Sequence, residues 1–190
     1  MKGWMLETRN MTDQITNEKL SQLLEAKESL ATSGMDAATL LELTEQTLAV
    51  LERHVERLTY LNALQAKETC EYFWEKAREG QEENKQYPRL GSRVRLIKNT
   101  LAIVWYHSTY LLKPKAGGKR VFTAKHISKP RHKFRYSNAA LSNAYPWEKE
   151  NVEDTENDYA KFRQRQSLIT EIRSRLSRFK NITDAYSNNE

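Results

Sequence analysis

The sequence predicts an α+β fold: a long N-terminal helical hairpin, a small three-stranded antiparallel β-meander and a C-terminal helix. Three observations predict it. From residue 36 to about residue 80, apolar residues recur at helical three-four spacing without a proline. Between residues 93 and 123, β-branched and aromatic residues gather into short runs separated by turn-forming segments. After Pro146 a last run begins acidic and ends basic, matching both ends of a helix dipole.

Residues 1–11 read as a flexible tail or as a start-site choice, because Met11 precedes a better helix start than Met1 does. Thr12 and Asp13 can cap a first helix through Leu30, with Ile15, Leu20, Leu23 and Leu24 apolar, and Ser33-Gly34 breaks it. Asp36 caps a second, longer helix running to about Gly80 or beyond. Leu41, Thr44, Leu48, Leu51, Val55 and Leu58 form its seam. Asn62 and Gln65 then fall on the seam while Leu61 and Leu64 lie off it, so the seam shifts or ends there. Residues 12–83 therefore form a helical hairpin; the same seam also suits docking or homodimer formation.

The segment 80–88 has no periodicity and closes on Pro88, marking a boundary. Arg93-Val94-Arg95-Leu96 alternates polar and apolar residues, Lys98-Asn99-Thr100 supplies a tight turn, and 101–110 is rich in β-branched and aromatic residues. Residues 114–118 make a loop, and Arg120-Val121-Phe122-Thr123 starts a third strand. Three strands need a cover on one face, which a helix provides. From His126 to Arg135 the alternation gives way to a basic loop, followed by a turn at 137–143. The last helix starts with Glu148, Glu150, Glu153, Asp154, Glu156 and Asp158, expected to be solvated, and ends with Arg173, Arg175, Arg178 and Lys180. Its apolar stripe is Phe162, Ile169, Ile172, Leu176 and Phe179. Residues 84–183 thus form a basic meander plus helix, and 184–190 a disordered tail.

Charge is distributed unevenly. Of 31 Lys and Arg, 14 lie between Asn84 and Trp147, a window with no Asp or Glu. The rest of the chain holds 17 basic and 25 acidic residues, so the net +6 conceals a strongly basic middle. Such a segment repels itself, and a polyanion relieves the repulsion. Nine of the 18 aromatics share the window, a mixture suited to phosphate contact with packing or base stacking. The candidate nucleic-acid-binding residues are Arg93 and Arg95 on one strand face, Lys113, Lys115, Lys119 and Arg120 around a loop, and Lys129, Arg131, Lys133 and Arg135 beyond the sheet. Tyr136 and Phe134 are the stacking candidates; Trp105, Tyr106 and Phe122 fit the sheet core better.

Other chemistries find little support. Cys70 is the only cysteine, which rules out an intrachain disulfide, fits a reducing cytoplasm, and reads as a satisfied, half-buried residue. His107, His126 and His132 lie among cations with no carboxylate near them in sequence, so no metal site is expected. Gly117-Gly118-Lys119-Arg120 lacks the spacing of a phosphate loop. No catalytic residue, cofactor or metal is assigned. No apolar run approaches the length of a membrane span, and the first seven residues lack an apolar run long enough for a secretory signal, so neither is expected.

Val104-Trp105-Tyr106, Gly118-Lys119-Arg120-Val121-Phe122, Phe134-Arg135-Tyr136 and Pro146-Trp147-Glu148-Lys149-Glu150 occur in an order that resembles the MobI family. These are auxiliary mobilisation proteins of SXT-type integrative conjugative elements and IncA/C-type plasmids. The resemblance spans roughly residues 90–178, including Arg163, Glu171, Ile172 and Arg173. It implies a cytoplasmic bacterial protein, not an enzyme, that helps initiate conjugative DNA transfer at the origin of transfer beside a separate relaxase. Two other classes fit the charge pattern: a helical adaptor binding an acidic protein partner, and a small RNA-binding regulator.

Overall fold

The computed structural model describes residues 36–111 and 121–187. They form α1 (Ala37–Asn84), β1 (Leu90–Ile97), β2 (Thr100–Leu111), β3 (Val121–His126) and α2 (Lys149–Ser187). The α+β class agrees with the sequence. The first helix expected at 12–30 and the loop at 114–118 lie outside the described residues. Among the described residues, those within 52–178 belong to one compact unit, and 36–51 together with 179–187 belong to another.

In the latter unit Asp36 opens α1 as expected. Its carboxylate accepts the Thr39 N–H at 2.7 Å, a bond that holds its pKa below the ordinary value. Leu43 and Leu48 are buried, but Leu51, expected on the seam, is largely exposed. The second helix continues to Ser187, into the segment expected to be a disordered tail. No glycine or proline stops it there, and the Thr183 hydroxyl donates to the Phe179 carbonyl within the helix.

In the unit 52–178, α1 buries Val55, Thr59, Asn62, Ala66, Cys70, Phe73 and Ala77. The stripe does not end at Asn62; it carries on through small and polar residues. Asn62 is accommodated because its Nδ2 donates to the Phe162 carbonyl at 3.0 Å. Leu61 and Leu64 lie off the stripe and are exposed, and so is Leu58, which the heptad spacing puts on it. The helix passes through Gly80 for a packing reason: a Cβ there would sit 2.5 Å from Cε3 of the Trp147 ring. It ends at Asn84, whose Nδ2 donates to the Gly80 carbonyl, and Lys85 then takes a left-handed φ of 52°.

The sheet has the order β1-β2-β3, antiparallel throughout. Lys98 and Asn99 join β1 to β2 with φ of 46° and 59°, the pair of positive values a two-residue type I′ turn requires. The register pairs Ser92 with Trp105 and Val94 with Ile103 on one face, and Arg93 with Val104 and Arg95 with Ala102 on the other. Both helices cover the first face, so Trp105, Leu90, Phe73 and Tyr159 are essentially sealed in the core. Phe73 meets Trp105 edge-on at 5.1 Å, and Trp105 lies 5.7 Å from Tyr159. Cys70 is fully rather than half buried, with its Sγ 3.7 Å from the Ser92 carbonyl, and the Trp74 Nε1–H donates to the same oxygen at 3.1 Å.

The buried face of α2 differs from the expected stripe. Val152, Thr155, Glu156, Tyr159, Gln166 and Ile169 are buried, whereas Ile172 and Phe179 are exposed. The acidic helix start is likewise not uniformly solvated, because Glu148 and Glu156 are 2% and 1% exposed.

Candidate nucleic-acid interface

A buried charge needs partners, and the two internal glutamates have them. Glu156 accepts the Trp105 Nε1–H at 2.6 Å, the Tyr136 N–H at 2.7 Å, and Arg163 at 2.8 and 3.2 Å. Arg163 also donates to the Phe134 carbonyl at 2.8 Å and lies over the rings of Tyr136 and Tyr159. Together they pin the far end of the loop after β3 against the core. Glu148 accepts the N–H groups of Tyr145 at 2.7 Å and Leu90 at 3.3 Å, tying the turn before α2 to the start of β1. Burial raises the Glu148 pKa, and the backbone donors and Arg89 offset that only in part.

On this frame the basic residues take different places. Arg93 and Arg95 are exposed on the face of the sheet away from the helices. Arg93 lies over the Tyr106 ring with its guanidinium carbon 5.5 Å from the centroid. Arg131 and Lys133 are exposed in the loop, where His132 adopts a left-handed φ of 64°. Lys129 instead folds back, donating to the carbonyls of Pro130 and Lys133, and burial lowers its pKa, with Arg163 adding to the effect. Arg135 turns to α2, bonding Asn157 and pairing with Glu153 at 3.6 Å. Tyr136, expected to be open for stacking, is 3% exposed, because the Glu156–Arg163 pair draws it into the core. Phe134 keeps an exposed ring; Trp105 is in the core as expected, whereas Tyr106 is buried on the opposite face of the sheet, against Gly91 and Arg93. Lys113, Lys115, Lys119 and Arg120 lie outside the described residues.

The structure adds cations that the charge window did not single out. Lys98 stands exposed at the hairpin tip, where sequence reasoning saw only a turn. Beside that tip, Arg53, Glu56, Arg57 and Tyr60 of α1 line an open groove with Leu96 and Asn99. Arg173 holds the tip in place, donating to the Asn99 carbonyl at 3.2 Å and the Thr59 hydroxyl at 2.9 Å. Arg53 and Arg57 sit among acidic neighbours in sequence, so only the fold reveals where they lie. His54, His126 and His132 are exposed and apart, while His107 approaches Asn143 at 3.5 Å. Among the described residues no three His, Cys, Asp or Glu converge as metal ligands, and no helix is long and apolar enough to cross a membrane.

The model of the MobI protein family matches residues 61–177, so the chain belongs to the MobI family, and its role is related to mobilisation. The match falls inside the compact unit 52–178 and reaches further towards the N-terminus than the motifs of the meander and last helix do. No curated protein and no solved structure matches the chain.

Proposed function

We propose, from membership of the MobI family, that this protein is an auxiliary DNA-binding factor for the initiation of conjugative transfer. It acts at the origin of transfer beside a separate relaxase. One observation supports this reading above the others: the sheet face away from the helices presents Arg93 and Arg95 to solvent with no carboxylate on any strand. Exposed Arg131, Lys133 and Lys98 extend the positive surface beyond the sheet. No catalytic centre is required for such a role.

The exposed leucines Leu58, Leu61 and Leu64 of α1 suit a protein contact, with the relaxase, another transfer protein or a second copy of the chain. They also favour the adaptor reading, in which the basic face meets an acidic protein instead of DNA. Complementation separates the two. In a donor whose element lacks this gene, the wild-type chain should restore transfer. R93E/R95E and R131E/K133E chains, folded and expressed equally, should restore little of it and retain little affinity for origin DNA. Full transfer with both variants, and no DNA binding by the wild type, would favour the adaptor.

A further inference from the structure

We propose that the β1–β2 ribbon enters the major groove of duplex DNA, with Arg93 and Arg95 each contacting the edge of a guanine. This rests on the DNA-binding reading above and deepens it by naming which surface reads sequence. Both helices lie on one face of the sheet; on the other, Tyr106 is buried beside Gly91, and Arg93 and Arg95 beyond it are exposed. The arginines' cross-strand neighbours there are Val104 and Ala102, which are small and uncharged. Neither arginine forms an ion pair with a described residue. Two exposed guanidinium groups on an acid-free face have their hydrogen-bonding capacity available for a partner.

The geometry favours bases over a merely electrostatic grip. Residues two apart on a strand are about 6.8 Å apart, close to two base steps of about 3.4 Å. A two-stranded ribbon fits the major groove, which is about 12 Å wide, whereas the minor groove is about 6 Å wide. Both positions are arginine, whose planar fork matches guanine O6 and N7. The ribbon is also firmly held. Leu90 and Trp105 are completely buried beneath it, and the Tyr106 ring on the same face packs against the Arg93 guanidinium. Gly91 makes that packing possible, since a Cβ there would lie 2.4 Å from Cε2 of Tyr106. Lys98 at the tip, Arg53 and Arg57 beside it, and Arg131 and Lys133 in the loop are left for phosphates.

Selection from a randomised duplex library with the full-length chain tests this. The wild type should enrich a motif with two guanines two base pairs apart. Replacing each of those guanines with 7-deazaguanine, which removes the major-groove N7 acceptor, should weaken binding about tenfold per position. An R93A/R95A chain should bind the motif and a scrambled duplex equally, and should be insensitive to 7-deazaguanine. Because the base analogue changes only the DNA, a loss of binding there cannot come from misfolding. An enriched motif whose binding ignores both changes would overturn the inference while leaving DNA binding intact, as would equal wild-type binding to all duplexes. No DNA binding at all would overturn both readings.

Discussion

Glu156 joins three parts of the molecule that are remote in sequence: Trp105 in β2, the backbone of Tyr136 after β3, and Arg163 one helical stretch further on. Removing a buried charge that satisfies so many donors leaves Arg163 stranded. E156A is therefore expected to lose about 3–5 kcal/mol of stability, read as a lower urea midpoint at unchanged slope. Glu148 behaves differently, because burial lifts its pKa above the ordinary 4.5. A raised carboxyl pKa contributes stability that is full below about pH 4.5, the unfolded value, and is lost as pH rises through the folded value. The difference in stability between wild type and E148Q should accordingly change across that window and be flat on either side. If the two chains track each other throughout it, Glu148 is not carrying a buried charge. Neither glutamate stood out in the sequence, where both belong to an acidic run that a helix dipole explains. Arg93 and Arg95, by contrast, were placed correctly by strand alternation alone. Tyr136 was misplaced because its burial depends on a partner twenty residues away.

At the level of elements, Gly80 reverses the ordinary rule for helices. Alanine is favoured over glycine in a helix interior by about 1 kcal/mol. At this position a Cβ would run into the Trp147 ring, so G80A should instead destabilise by about 1–3 kcal/mol. In a W147A background the same substitution should become stabilising, and a thermal-unfolding double-mutant cycle would read the change of sign. Elsewhere on α1, F73A should cost about 3–5 kcal/mol as a core truncation, while L64Q should stay within about 0.5 kcal/mol. The strands and their turn were legible because β-branched runs and the Lys98-Asn99 pair act locally. The buried faces of the helices were less so. Apolar spacing favoured Leu51 and Leu58, yet the packed stripe runs through Thr59, Asn62, Ala66 and Cys70, small or polar residues that let the sheet and α2 approach closely. On α2, likewise, Glu156 faces inward because hydrogen bonds satisfy it, which hydrophobic periodicity cannot register.

For the molecule as a whole, family match and compactness coincide: residues 61–177 lie within the unit 52–178. A chain trimmed to 52–178 should therefore unfold cooperatively in urea and retain the helix and strand signature in circular dichroism. A broad, non-cooperative transition would mean that the remaining residues are needed to complete it. The polarity of this unit is legible in the sequence as a window without acidic residues. Which cations stay exposed is not, since Lys129 and Arg135 are partly covered and bonded to neighbouring groups while Lys98, Arg53 and Arg57 are exposed. We propose that this surface grips origin DNA, and fluorescence anisotropy of the full-length chain is the sharpest test. Labelled duplexes would carry either the transfer origin of its own element or a scramble of equal composition, across a salt series. Binding to the origin should be tighter at every salt concentration, with affinity falling steeply as salt rises because phosphate contacts release counterions. Absence of binding to either duplex, at low salt as well as high, would contradict it.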